Sequence, residues 1–457
     1  MKTRKTQLIG YRFFDSKGIE KKLEKKASQG WLLDSASNNR WIYRAVEPKK
    51  LKFTVTYFPD SSVFDAGPTD GQLTLEEYAL RDGWILAARY NQMQVFYNEN
   101  LDATPIDTDP VVQVETINKI MKKNRLPLML VSIALYLFII FTRINSFIVN
   151  PIRFLSSNFD IFFTLAIVVF IVTYIIQSFG YIHWYKKALA EAENGVFLEV
   201  KSGGLAEKIL YEIAFALGII GIISYGSFSK VFLYIIVMVG LLILLDGFFL
   251  NFIKKRNKSR NFKRVLYFII AFVVNFILMI TITFTLISTG FLNNKEPDET
   301  FTFDSGYVMD VYHNDIPLRI EDFSKTRNSK WSTRADIRKS VLLTSTEYSQ
   351  RELTNGKNAG HITYTIIEPK NSLVYDICRN SLVNKNDDIK ENGIVVHADH
   401  YNRISPDLWD AEEAYQLYWD DGYLDSYIIC YDDKIVEVNL FDEVSDEQIK
   451  LIAEKLK

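Results

Sequence analysis

The sequence predicts a multi-domain membrane protein with an α+β domain at each end and a transmembrane region between them. Five apolar stretches reach bilayer length, a strand–helix–strand–strand pattern occurs twice before them, and an acidic segment with mixed helix and strand patterns follows them. These features divide the 457 residues into a cytoplasmic α+β domain 1–110, a basic juxtamembrane segment 111–125, a transmembrane region 126–289 and an extracytoplasmic α+β domain 290–457.

The transmembrane prediction rests on the length of the apolar stretches. They cover residues 126–142, 159–182, 209–225, 231–250 and 265–289. A helix needs about 17–25 residues to cross a hydrocarbon core. The alternative, a set of buried helices in a soluble protein, is disfavoured because such helices seldom stay apolar on all faces for this length.

Basic residues predict the orientation of the spans. The segment 111–125 and the loop 251–264 are both rich in lysine and arginine, and the loop holds seven basic side chains and no acidic one. Four predicted spans separate them, so both fall on the same side, and such residues mark the cytoplasmic side. The N-terminus is therefore expected in the cytoplasm and the C-terminus outside.

Charge separates the C-terminal domain from the rest of the chain. Residues 290–457 carry 19 basic and 32 acidic side chains, a net charge of −13, whereas residues 1–125 carry a net charge of +4 and residues 126–289 one of +7. An asymmetry of this size indicates a change of compartment or partner.

A Gly-Trp pair marks each copy of the N-terminal repeat. Gly30-Trp31 and Gly83-Trp84 each follow a predicted helix and precede two predicted strands, while "LIGYRFF" and "LKFTVTYF" predict a strand before each helix. Glycine at such a position favours a left-handed helix end, and the next residue often packs on the last turn. We expect both tryptophans to be structural, with Trp84 covering Tyr78 and Ala79; an exposed aromatic binding surface is the alternative.

Finer features of the repeat follow from the local pattern. Ile19, Leu23 and Ala27 form a helical stripe, and Thr74 with Glu77 predicts a capping box at the start of the second helix. Turns are expected at 38–39 and 91–92. We expect one antiparallel sheet with both helices on one face.

The repeat resembles a bacterial protein family. The Gly-Trp pair after an amphipathic helix, "RWIYRA", "FTVTYFPD" and "EEYALRDGWIL" are similar to the domain of unknown function 2812. The resemblance covers about 110 residues well and implies a cytoplasmic domain joined to membrane spans, often encoded beside PadR-type transcriptional regulators. That family has no assigned activity, so the resemblance implies no catalytic residue.

The C-terminal domain shows strand and helix patterns and both cysteines of the chain. "HITYTIIEP" predicts a strand, "SLVYDICRNSLV" a helix, "DSYIICYDDKIVEVNLF" a hairpin and "SDEQIKLIAEKL" a capped helix. Cys378 and Cys430 lie in the predicted outer domain, where disulfides persist. A disulfide between them and two separate buried thiols are the two alternatives.

No pattern predicts catalysis, a cofactor or a metal. His397, Asp399 and His400 lack the further converging ligands that a metal site needs. Glu212 and Asp246 lie near the ends of their predicted spans, where Lys208 or Lys254 can neutralise them.

Three further expectations concern lipid contact, helix contact and function. The basic loop 251–264 is expected to meet anionic lipid rather than nucleic acid. Asn275 is a candidate for contact between helices. The chain is expected to be a non-enzymatic sensor or regulatory partner that links an outer domain to a cytoplasmic domain and to a cytoplasmic regulator protein. A transporter or export accessory subunit is the alternative, and an outer-surface hydrolase based on "HADH" is a third class.

Overall fold

A computed structural model of the chain shows α+β domains, several sheets and long apolar helices. It describes residues 3–8, 12–37, 40–198, 204–224, 228–288, 297–323, 329–355, 359–385, 389–391, 394–420, 422–440 and 444–457. The chain divides into two compact units. The first comprises Met1–Ile140, Leu165–Leu217 and Ser229–Phe291, and the second Phe141–Thr164, Gly218–Phe228 and Leu292–Lys457.

The N-terminal repeat has the predicted order of elements in both copies. The first copy is β1 (Arg4–Leu8), α1 (Ser16–Ala27), β2 (Trp31–Ala36) and β3 (Arg40–Ala45). The second copy is β4 (Lys52–Tyr57), α2 (Asp70–Arg81), β5 (Ile85–Tyr90) and β6 (Met93–Asn98). The expected turn at 91–92 is present, with Asn91 at φ 50°, and the turn at 38–39 lies outside the described residues.

The prediction of one sheet with both helices on one face is wrong. Among the described residues, the strands form two antiparallel sheets of three strands, with the orders β1-β3-β2 and β4-β6-β5. Helix α1 lies along β4 of the other copy, where Glu20 Oε1 accepts a hydrogen bond of 2.9 Å from the Val55 N–H. Glu24 Oε1 accepts one of 3.4 Å from the Phe53 N–H. The outward N–H groups of edge strand β4 are therefore covered by helix side chains.

One apolar core joins both copies. The predicted stripe of Ile19, Leu23 and Ala27 is at most 1% exposed. The same core includes Val114 and Ile117 of α3 (Pro110–Ile120). The predicted juxtamembrane segment is thus partly a core helix of the N-terminal domain.

The second helix begins earlier than its predicted capping box. Thr69 is the N-cap of α2, its Oγ1 accepts from the Gln72 N–H, and the Thr69 N–H donates to Gln72 Oε1. Both "TDGQ" and "TLEE" match the capping-box spacing, and the helix uses the first. Thr74 instead lies inside the helix, with its hydroxyl donating to Asp70 O over 2.9 Å.

Long helices follow the N-terminal domain. A π-helical turn Met121–Arg125 connects α3 to α4 (Leu126–Val149), and α5 (Pro151–Leu155) precedes α6 (Asn158–Glu193). The remaining helices of this region are α7 (Leu205–Ile223), α8 (Phe228–Lys254) and α9 (Arg260–Ser288). Within the described residues, three segments are long and apolar enough to cross a membrane: Pro110–Val149, Asn158–Glu193 and Arg260–Leu278.

The C-terminal domain is built on an antiparallel sheet. It begins with β7 (Glu299–Thr302), β8 (Val308–Val311), α10 (Ile320–Phe323), β9 (Trp331–Lys339), β10 (Leu343–Glu352), β11 (His361–Pro369) and α11 (Ser372–Val383). It continues with β12 (Ile389–Glu391), β13 (Ile394–His397), β14 (Asp399–Ile404), β15 (Glu413–Trp419), β16 (Gly422–Cys430), β17 (Ile435–Leu440) and α12 (Asp446–Leu456). In the described residues the main sheet has seven strands, in the order β14-β15-β16-β17-β11-β10-β9. The predicted hairpin is β16–β17, and the predicted Ser445–Gln448 capping box is present.

Candidate functional site

The strongest candidate site is the contact between the loop 12–15 of the N-terminal domain and the helices that follow it. Arg12 Nε donates to Glu207 Oε1 over 3.1 Å, and Nη2 contacts the same oxygen. The Glu207 side chain is 5% exposed and lies in the first turn of α7. Its Oε2 is buried without a hydrogen-bond partner in the described part of the chain. The Arg12 guanidinium is therefore the main charge that balances this buried carboxylate.

Aromatic rings extend the contact to α6. The Phe14 ring centroid lies 4.7 Å from that of Trp184 and 5.9 Å from that of Tyr181. All three side chains are buried. Tyr181 donates its hydroxyl hydrogen to Asn118 Oδ1 of α3 over 2.7 Å. The C-terminal part of α6, from Tyr181 onward, thus contacts both the domain loop and α3.

The π-helical turn joins the same contact from the side of α4. The Arg125 guanidinium lies 4.0 Å from the Phe13 ring centroid. Tyr57 donates to Phe13 O over 2.6 Å, and its ring lies 5.0 Å from the Phe13 ring. Single π-helical turns inside helices occur frequently at functional sites. Here the turn brings Arg125 onto a loop that also contacts α6 and α7.

Buried carboxyl groups surround the loop. Asp15 accepts from the Gly18 N–H over 3.0 Å as the N-cap of α1, and Asp107 accepts from Gln113 Nε2 over 3.2 Å. Glu20 accepts from Lys17 Nζ over 2.8 Å. Burial raises the pKa of each of the three groups from its ordinary value, although each also accepts a hydrogen bond that acts in the opposite direction.

The basic loop contacts the N-terminal domain as well. Arg260 Nε lies 2.8 Å from Asp65 Oδ1, and the Tyr267 ring centroid lies 5.7 Å from that of Phe64. Lys263 Nζ donates to Lys254 O over 2.9 Å. Part of the loop that is predicted to contact lipid therefore contacts protein groups.

The two Gly-Trp pairs have the predicted backbone and unequal side-chain environments. Gly30 and Gly83 have φ of 82° and 80°. Trp84 is 1% exposed, packs with Ala79 and donates from Nε1 to Thr104 O over 3.0 Å, whereas Tyr78 is 60% exposed. Trp31 is half-buried, with Lys5 Nζ 5.5 Å from its ring centroid. The expected packing of Trp84 on Ala79 is present, and Tyr78 is largely exposed.

The other candidates from the sequence are not brought into this contact. Cys378 and Cys430 are free thiols buried in one apolar cluster of the C-terminal domain. Burial raises the pKa of Cys378 to about 12 and that of Cys430 to about 11. A disulfide between Cys378 and Cys430 stays a prediction. Glu212 lies 3.7 Å from Lys208 Nζ, as expected for an acid neutralised near a helix end.

The remaining candidates from the sequence are the possible metal ligands and Asn275. Among the described residues, no group of three or more His, Cys, Asp or Glu is placed to hold a metal. The His400 ring packs against Tyr418, and the side chains of His397 and Asn275 lie outside the described residues. Sequence reasoning missed Arg12, Phe14, Trp184 and Glu207, because their partners are too distant in the chain for any local pattern to reveal them.

Comparison of the chain with protein-family models, curated proteins and solved structures gave no match. The resemblance to the domain of unknown function 2812 thus rests on the sequence motifs.

Proposed function

We propose that this chain is a non-enzymatic integral membrane protein that links an outer C-terminal domain to a cytoplasmic N-terminal domain and acts as a sensor or regulatory partner. The observation that supports the proposal best is the use of α6. In the first unit, Tyr181 and Trp184 near its C-terminal end lie in the core of the N-terminal domain. In the second unit, Asn158 Oδ1 at its first residue accepts from the Val341 N–H of the C-terminal domain over 2.8 Å.

A second contact supports the same role for the start of α6. Ser340 Oγ, in the turn between β9 and β10, donates to Leu155 O over 2.5 Å just before α6 begins. Each folded domain thus holds a different end of one helix of 36 residues. A helix that contacts a different folded domain near each end is the kind of structure that can carry coupling between two sites.

The proposal includes five spans with the orientation given by the basic residues. The contact of α6 with the N-terminal core begins at Tyr181, at the end of the proposed span 159–182, and continues through Trp184 and Ala188. In this proposal the regulator protein binds the cytoplasmic domain. Anionic lipid headgroups meet the exposed basic side chains of the loop, such as Lys255 and Lys258.

Hydrogen exchange of the full-length protein in nanodiscs tests the coupling. Asn158→Ala removes the acceptor for Val341 N–H, so we expect exchange to change in residues 12–20 as well as around residue 341. Tyr307→Ala is the control, since Tyr307 is 64% exposed. Exchange in 12–20 that is identical in Asn158→Ala, Ser340→Ala and the control would contradict the proposal. Transport of a labelled compound by purified protein in vesicles would favour the transporter alternative.

A further inference from the structure

The strands of the seven-stranded sheet have different surroundings at their two ends. The strand register aligns Leu343, Pro369, Ile435, Cys430 and Glu413 at one end. This proximal end adjoins the turn in which Ser340 contacts Leu155. The hairpin tip between Trp419 and Gly422 lies at the other, distal end. Since β15 has seven residues, the tip is about 20 Å from the proximal end.

An aromatic ladder occupies the distal end of one sheet face. His400, Tyr418 and Tyr423 stand opposite one another on β14, β15 and β16. The His400 and Tyr418 ring centroids are 5.5 Å apart, and those of Tyr418 and Tyr423 are 5.2 Å apart with an interplanar angle of 76°. We call these three residues the aromatic ladder.

The aromatic ladder lies on a sheet face whose proximal part is covered by another side chain. Toward the proximal end, the buried Trp409 packs on Tyr427 with ring centroids 5.0 Å apart. Beyond Tyr427 the cover ends, and Tyr423 is 55% exposed. The exposed Tyr423 ring and the half-buried rings of Tyr418 and His400 thus form an aromatic surface that ends in solvent, while Trp419, at 54% exposure, lies on the opposite face.

Side-chain hydrogen bonds reach Tyr423 of the ladder and Tyr427 beside it. Asn402 Nδ2 donates to the Tyr423 hydroxyl over 3.3 Å, and Gln416 Nε2 donates to Leu424 O and to the Tyr427 hydroxyl, both over 3.1 Å. Tyr427 in turn donates to Asp425 Oδ1 over 3.0 Å. The Tyr423 ring of the ladder is therefore held by a hydrogen bond before any ligand arrives, which lowers the entropic cost of binding.

The strand segments that carry the ladder are acidic. Segments 398–402 and 416–427 contain four aspartates, at positions 399, 420, 421 and 425, and no lysine or arginine, and Arg403 follows the first segment directly. The whole segment 290–457 has a net charge of −13. Aromatic faces attract cations through the ring quadrupole, and a negative field raises the local concentration of cationic ligands.

We propose that the aromatic ladder binds cationic peptide segments that carry lysine or arginine. Their ammonium or guanidinium groups lie against Tyr418 and Tyr423, and the aspartates complement the remaining positive charge. The distal position places the ladder at the end of the sheet remote from Leu155 and Asn158. This inference builds on the proposed function by naming the ligand class of the outer domain of a sensor.

Binding of fluorescein-labelled hexalysine to full-length protein in phosphatidylcholine nanodiscs tests the proposal by fluorescence anisotropy. The neutral lipid avoids competition from anionic headgroups. We expect Tyr423→Ala to raise Kd about two- to fivefold, the effect of one exposed cation–π contact. Tyr423→Phe keeps the ring and should stay close to the parent protein, and Asp425→Asn should weaken binding. Tyr307→Ala is the matched control, because Tyr307 is an exposed tyrosine of the same acidic domain.

Three outcomes would overturn the proposal. They are no saturable binding of hexalysine, equal Kd values for Tyr423→Ala and Tyr307→Ala, and equal binding of hexaglutamate or of the neutral sugar cellohexaose. Binding to purified protein does not depend on sidedness or on coupling through α6. A failed binding test therefore leaves the proposed function standing, and a failed coupling test leaves the ladder standing.

Discussion

Arg12 and Glu207 are 195 positions apart in the chain, and Nε of the arginine lies 3.1 Å from Oε1 of the glutamate. Removal of either partner leaves a charge in a site where the Glu207 side chain is only 5% exposed. We expect Arg12→Ala to destabilise the full-length protein by about 3–5 kcal/mol. Thermal unfolding in detergent measures the loss.

An exposed ion pair in the same domain provides the control. Arg4 Nη2 lies 3.3 Å from Asp34 Oδ2, with the arginine side chain 72% exposed. Arg4→Ala should therefore cost about 0–1 kcal/mol. Equal losses for Arg12→Ala and Arg4→Ala would show that the Arg12 contact does not hold the N-terminal domain on the helices.

The two tryptophans of the repeat should differ in their contribution to stability. Trp84→Ala removes a buried ring and the hydrogen bond to Thr104 O, so it should cost about 3–5 kcal/mol. Trp31→Ala should cost less, because the ring is only partly buried. Chemical denaturation of both variants measures the difference. An equal cost would mean that Trp31 is as buried as Trp84.

The repeat glycines should resist substitution for different reasons. A Cβ at Gly30 would lie 2.9 Å from Val46 O, which is backbone, whereas the nearest atom to one at Gly83 would be Asn98 Nδ2 at 3.2 Å. Both residues have positive φ, which alone costs an alanine about 1–2 kcal/mol. We expect Gly30→Ala to lower the melting temperature more than Gly83→Ala.

Gly67 is the matched control for these substitutions, because a Cβ there would meet nothing within 4 Å. Gly67→Ala should leave the melting temperature within error of the parent protein. A similar loss at all three positions would argue against the role of the left-handed conformation.

Asp107 should make the protein less stable at neutral pH than a neutral residue would. Burial raises its pKa above 3.8, so the folded state keeps the proton at pH values where the unfolded state has released it. Stability from this group is lost as pH rises through the folded pKa. Asp107→Asn should raise the melting temperature at pH 7, and the gain should vanish as pH falls toward 3.8. A gain that is independent of pH would contradict this assignment.

The sequence predicts local structure well and long-range pairing poorly. The stripe from Ile19 to Ala27 and the left-handed glycines follow from spacing within one turn or two, and both are present. The division into two sheets does not, because alternation specifies a strand's faces but not its neighbours. The predicted start of α2 is wrong because two capping-box patterns lie five residues apart in the sequence.

The candidate site could not be predicted from the sequence, because it too depends on long-range pairing. Arg12 stands in "YRFF" with no local partner, and Glu207 looks like an ordinary acid at a helix start. Only the fold brings the two together with Phe14 and Trp184. The aromatic ladder also depends on register, because His400, Tyr418 and Tyr423 become neighbours through strand pairing.

Sidedness of the two domains is the central claim, and reporter fusions test it most directly. A phosphatase that is active only outside the cytoplasm is fused after Lys457 in one protein and after Arg125 in another. We expect activity from the fusion after Lys457 and none from the fusion after Arg125, with immunoblotting as the check that both proteins are made. Activity after Arg125 with silence after Lys457, or silence from both, would contradict a cytoplasmic N-terminal domain linked to an outer C-terminal domain.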